Sequence, residues 1–219
     1  MSVKERPILF SGEMVMAILD GRKTMTRRVI KPQPEVKYAN VWFNRDTRMF
    51  DFRRCSPWSS IRCPYGQPGD RLWVRETWQD FCPMWNGSWC GHGTLEGIKQ
   101  DHRPVYKADP DELWLRGNGD EKKPPCRWRP SIHMPRWASR ITLEITDVGV
   151  ERVQEISKGD AIDEGVLSEG HPEWDGNPDE PQRHFRLLWD SINAKRGFGW
   201  DKNPFVWVIS FKKVSEGRA

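Results

Sequence analysis

The sequence predicts one α+β domain over residues 1–219, and three observations carry that reading. Helical and strand periodicities alternate in the order helix, strands, helix, helix, strand. The last strand, Phe205 to Phe211, is apolar on both faces, which places it inside a sheet and not at an edge. That strand has no sheet of its own, so it must join one built by earlier strands. A length of 219 residues is enough to bury the core such a domain needs.

Taken in order, Pro7 to Phe10 is a short apolar strand feeding a helix. Ser11 can cap that helix, Glu13 suits its positive end, and Met14, Val15, Ile18 and Leu19 form one apolar face. Gly21 stands where a left-handed C-cap ends it. Gly69 and Asp70 make a tight turn, after which Leu72 and Val74 alternate with Arg71, Trp73 and Arg75 as in a strand. Ile141, Leu143 and Ile145 alternate with Thr142, Glu144 and Thr146 in a half-buried strand. Ser157 with Asp160 resembles a capping box and starts a short helix that Gly165 ends, with Glu164 in its last turn. Phe185, Leu188, Trp189 and Ile192 mark a second amphipathic helix.

Two proline- and glycine-rich excursions interrupt this order, at about residues 32–64 and 80–130. The first has room for a hairpin around Val41 to Phe52, the second for a strand at Pro104 to Lys107. Of the thirteen tryptophans, Trp73, Trp189 and Trp207 fall in periodic segments and read as core. Trp42, Trp58, Trp85, Trp89 and Trp114 lie in the excursions, where they anchor loops or line a cleft and stack a base. Ser131 to Trp137, with His133 and two prolines, reads as a loop over one end of the sheet.

The net charge is only +4, from 35 basic and 31 acidic residues, so total charge does not demand a polyanionic partner. Distribution says more. Residues 22–31 hold five Lys or Arg and no acid, while Asp and Glu gather after residue 144. No stretch approaches a membrane span, and the first residues lack a signal-peptide core, so a cytoplasmic protein is expected. Cys55 and Cys63, like Cys82 and Cys90, are eight apart, with His92 and His102 behind. These spacings lack the C-x2-C knuckles of structural zinc sites, and no metal or cofactor is expected.

The densest chemistry is in the run Gly21 to Arg28, where Arg22, Lys23, Arg27 and Arg28 stand with Thr24 and Thr26. By spacing alone this reads as a solvated basic turn behind a helix. Gly21, Lys23 and Arg28 also reproduce the G-x-K-x-x-x-x-R signature of the ASCH domain, a β-barrel family related to the PUA RNA-binding fold. The stretch from Tyr65 to Trp78 resembles the strand that follows in that family, above all in its longer phage and prophage members. The resemblance implies a PUA-like barrel with flanking helices and the two excursions as loop insertions.

It also implies a chemistry. Bacterial ASCH amidohydrolases that remove the acetyl group of N4-acetylcytidine use a Lys, a Thr three residues on and a distant Glu. Lys23, Thr26 and Glu164 match those positions as catalytic residues. A threonine hydroxyl becomes a nucleophile when a base takes its proton, and a lysine deprotonated by burial can be that base. Residues three apart on a regular strand face opposite ways, so Lys23 and Thr26 need a turn or bulge to converge. Arg22, Thr24, Arg27, Arg28, Arg75, Glu76, Trp78 and His133 are the expected substrate contacts. The alternative is a non-catalytic module that binds single-stranded nucleic acid or a modified base, with Lys23, Arg27 and Arg28 on phosphates.

Overall fold

The computed structural model describes residues 2–34, 40–44, 47–53, 59–81, 103–109, 128–166 and 180–214. The chain divides into two compact units, each discontinuous in sequence. The first comprises Met1–Arg6, Ala17–Leu72 and Thr142–Ala219, the second Pro7–Met16 and Trp73–Ile141.

The first unit is organised on an antiparallel ladder of three strands. β10 (Phe205–Val214) runs between β9 (Thr142–Arg152) and β2 (Met25–Val29). With β1 (Glu5–Leu9) and β6 (Arg71–Arg75) the sheet order is β1-β6-β9-β10-β2. The expected central place of the last strand holds. The expected barrel does not: among the described residues β1 and β2 end an open sheet, with no pairing that closes it.

β10 is apolar on both faces because both are covered. Val206 and Val208 face a cluster with Val153, Ile156, Ala161, Phe185 and Trp189. Those residues come from α2 (Lys158–Asp163), α3 (Glu180–Asn193) and the turn before α2. Each such side chain taken out of water contributes about 1.5–3 kcal/mol. By alternation Phe205 and Trp207 point the other way. There Phe52 meets Phe205 and Phe50 meets Trp207, both edge-on at 5.4 Å.

Phe50 and Phe52 belong to a three-stranded antiparallel sheet of β3 (Asn40–Asn44), β4 (Met49–Arg53) and β5 (Ser59–Ile61). The first excursion is therefore not only loop. It contains the predicted hairpin plus a third strand, and it covers one face of β10.

Caps follow the sequence closely. Gly21 is left-handed at φ +77 and ends α1 (Gly12–Leu19). Ser157 Oγ accepts the Asp160 N–H, and Gly165 at φ +84 ends α2. In the Gly69–Asp70 turn the Asp70 carboxylate accepts N–H bonds from Lys4 and Gln67 and pairs with Arg6. Burial would raise its pKa, but these donors outweigh burial and hold it below the ordinary carboxylate value. On α3, Phe185 and Trp189 are buried while Ile192 is 45% exposed, so the apolar face stops a turn earlier than its spacing suggested.

The second unit contains a two-stranded ribbon, β7 (Trp78–Phe81) with β8 (Arg103–Tyr106), in the second excursion. Trp78, Met134 and Ala138 form its small core against Tyr106. No described helix is long and apolar enough to cross a membrane.

Candidate active site

The run after Gly21 does not form a solvated turn. Lys23 leaves the helix cap and forms an isolated antiparallel bridge with Glu164, two residues before β2 begins. Its N–H donates to the Ala17 carbonyl at 2.9 Å, and the Thr24 N–H donates to Asp163 at 2.8 Å. The backbone thus zips the end of α1 to the end of α2. Side chains complete the tie: Lys23 Nζ donates to Glu164 Oε2 at 2.6 Å and to the Glu164 carbonyl at 2.7 Å. Lys23 is 3% exposed and Glu164 4%. Burial depresses the lysine pKa, and the adjacent carboxylate only partly offsets it.

Arg27 extends the network. Its Nη2 donates to Asp160 Oδ2 at 2.7 Å and Glu151 Oε2 at 3.0 Å, while Nη1 stands 3.7 Å from Glu164 Oε1. One buried guanidinium therefore gathers three carboxylates from β9 and the two ends of α2. Its charge is spent inside the fold, as is that of Lys23, so neither cation reaches a phosphate here. Arg28, two residues along the same strand as Thr26, hydrogen-bonds the Tyr65 side chain.

Thr26 is 1% exposed, and its hydroxyl has no hydrogen-bond partner. Glu164 Oε1 is likewise buried without one. Buried polar atoms are nearly always paired, so these two oxygens need an explanation. No hydrogen bond joins Lys23 Nζ to Thr26 Oγ1. The lysine is committed to Glu164.

Gly165 backs this network. A Cβ there would lie 3.0 Å from both Lys23 Cβ and Ala17 Cβ, in a left-handed conformation that L side chains resist. Gly165→Ala is expected to cost at least about 1 kcal/mol, read as a lowered urea midpoint. An unchanged midpoint would mean that the turn relaxes freely.

No family model and no curated protein matches the chain. Among solved structures it is similar to an ASCH domain from Lactobacillus crispatus JV V101, at 13% identity and a TM-score of 0.40. That match covers 96% of this chain and 79% of the other. It is also similar to protein EF3133 from Enterococcus faecalis V583, described as DUF984, at 8% identity and a TM-score of 0.40, over 100% of this chain and 87% of that one.

A cavity of about 470 Å³ lies in the same unit, lined by Phe43, Phe50, Arg48, Gln67, Asp147 and Val148 among others. Val148, Ile209 and Thr26 are directly paired across β9, β10 and β2. Paired residues on adjacent strands point to one face, so Val148 at the cavity wall and Thr26 share a side of the sheet. A β-bulge, where Ser210 faces Asp147 but Phe211 faces Ile145, adjoins the cavity and alters the alternation there.

The other expected contacts are placed as follows. Arg22 is exposed and paired with Asp20, and Thr24 is exposed. In the second unit Glu76 is buried and holds Arg140 through two 3.0 Å hydrogen bonds, and Arg140 also pairs with Asp109. Trp78 is buried in that unit's core. Both side chains are turned into the fold. Arg75 donates to the Ile132 carbonyl and stacks over Trp73, while His133 is exposed on a short turn.

Sequence reasoning missed Glu151, Asp160 and Tyr65 as partners of the basic run. Asp160 gave only a capping signal, and the other two gave none. Among the described residues no group of three or more His, Cys, Asp or Glu is placed to hold a metal. Cys55, Cys82, Cys90, His92 and His102 lie outside the described residues, as do Trp58, Trp85, Trp89, Trp114 and the side chain of Trp42, and Cys63 is a buried free thiol.

Proposed function

We propose that this chain is an amidohydrolase that removes an N-acyl group from a cytosine-type base, with Thr26 as nucleophile, Lys23 as base and Glu164 as acid. The observation that carries the reading is the buried Lys23–Glu164 pair just ahead of the strand that holds Thr26, whose buried hydroxyl has no hydrogen-bond partner in the protein. The match of these three residues to the ASCH amidohydrolase positions supports the same assignment.

In this reading the substrate's ring enters from the face shared by the cavity and Thr26 and displaces the cover over the hydroxyl. Lys23 exchanges its bond to the Glu164 carbonyl for Thr26 Oγ1. Thr26 attacks the acyl carbon while Lys23 takes the hydroxyl proton. The C–N bond then breaks as the proton that Lys23 took passes through the Glu164 carboxylate to the departing amine, leaving an acyl-threonine. Water cleaves that ester, releases the carboxylic acid and restores Thr26.

The depressed lysine pKa fits a base, because a lower pKa makes the neutral amine available nearer neutral pH. Turnover rises as pH climbs through the depressed lysine pKa and falls below it. A panel of N4-acylated cytosine nucleosides incubated with the chain is expected to give free acid and the parent nucleoside, with this pH profile. No turnover on any member of the panel would reject the reading, and turnover that increases toward acid would reject Lys23 as base.

A non-catalytic binder remains the second reading, but Lys23 and Arg27 cannot supply its phosphate contacts in this structure, since both are buried and ion-paired.

A further inference from the structure

Residues 128–143 hold Arg129, His133, Arg136 and Arg140 and no Asp or Glu, and the proposed chemistry uses none of them. Arg140 is occupied by Glu76 and Asp109. The others lie on or beside two consecutive 3-10 turns, Ser131–His133 and Arg136–Ala138, each entered through a proline that fixes φ. Each turn holds a large apolar side chain in water: Ile132 is 57% exposed and Trp137 61%.

Trp137 is exposed but braced. Its ring meets Trp78 edge-on, with centroids 5.6 Å apart and planes at 89°, and Trp78 is fixed in the core with Met134 and Ala138. Arg129 lies 5.2 Å over the Trp78 ring and makes no ion pair among the described residues. An indole anchored at one side and wet at the other, flanked by cations without a nearby acid in sequence, matches the chemistry of base stacking with phosphate neutralisation.

We propose that the turns from Arg129 to Trp137 form a platform for single-stranded nucleic acid, with Trp137 stacking on a base and Arg129 facing a phosphate. Trp and Arg also occur at protein interfaces, and competition by an acidic peptide separates that occupant from a nucleic acid. A duplex fits less well because its bases are already stacked on one another and present no free face to Trp137. The inference goes beyond the hydrolase reading and does not depend on it.

The experiment is fluorescence anisotropy of a labelled oligo-uridine with the full chain, across a salt series and without any acylated base. Wild type is expected to bind, and Trp137→Ala to weaken binding about tenfold with an unchanged melting midpoint. Trp137→Phe, which keeps an aromatic face, should retain most of the affinity. Arg129→Ala should flatten the log-log salt slope by about 0.7, the loss of one phosphate contact on a single strand. No binding by wild type at low salt, or undiminished binding by Trp137→Ala, overturns the proposal. So does a poly-glutamate peptide that competes as well as unlabelled oligo-uridine, which would make the surface a general anion patch. Because binding is read without turnover, failure here and failure of the hydrolase reading are separate results.

Discussion

Lys23→Ala is expected to destabilise the chain by about 3–5 kcal/mol, read from urea denaturation, because it leaves the Glu164 carboxylate buried without its lysine. Of the remaining cations near Glu164, Arg27 stands 3.7 Å from Oε1 and already serves Asp160 and Glu151, and Arg28 is bonded to Tyr65. The lost Nζ also held the Glu164 carbonyl, so the side-chain tie between the approach to β2 and the end of α2 goes with it. Much of the cost comes from stranding a charge and not from the net worth of the pair. The double variant Lys23→Met with Glu164→Leu, which strands nothing, should therefore cost less than Lys23→Ala alone. A double variant as damaging as the sum of the singles would mean that the two side chains are not coupled. A neutral Lys23→Ala would mean that water reaches Glu164.

This dependence was only half legible in the sequence. Gly21, Ser157, Asp160 and Gly165 declare local backbone geometry, and each stands where its chemistry placed it. β10 announced its central place because a strand apolar on both faces has no other home. Glu164 could be assigned to the end of α2 from caps on either side. What local pattern cannot carry is pairing across long separations. Arg27 reads as one more surface cation until Glu151 and Asp160, more than a hundred positions away, are folded onto it. Glu76 looked available until Arg140 closed over it. The third strand of the first excursion, β5, is three residues long, too short for periodicity to reveal. The closed barrel came from resemblance, and the described pairing leaves the sheet open.

The second large effect concerns Thr26, where stability and activity are expected to move in opposite directions. Valine has nearly the shape of threonine and lacks the hydroxyl. Since Thr26 Oγ1 is buried and bonds to nothing, Thr26→Val removes an unpaired polar atom and should stabilise the chain by about 1 kcal/mol. Thr26→Ser keeps the hydroxyl and should gain nothing of this kind. If Thr26 is the nucleophile, valine leaves no atom to attack the acyl carbon, and turnover should fall by at least about 10⁴-fold. A stabilising substitution that abolishes activity is the mark of a residue kept for chemistry at a cost in stability.

The decisive measurement pairs hydrolysis of N4-acetylcytidine with urea denaturation for wild type and Thr26→Val. Wild type is expected to turn over, Thr26→Val to show no detectable turnover, and the variant's midpoint to lie at or above that of wild type. Full turnover by Thr26→Val would contradict the catalytic assignment, and a clear loss of stability would show that the hydroxyl holds the fold together.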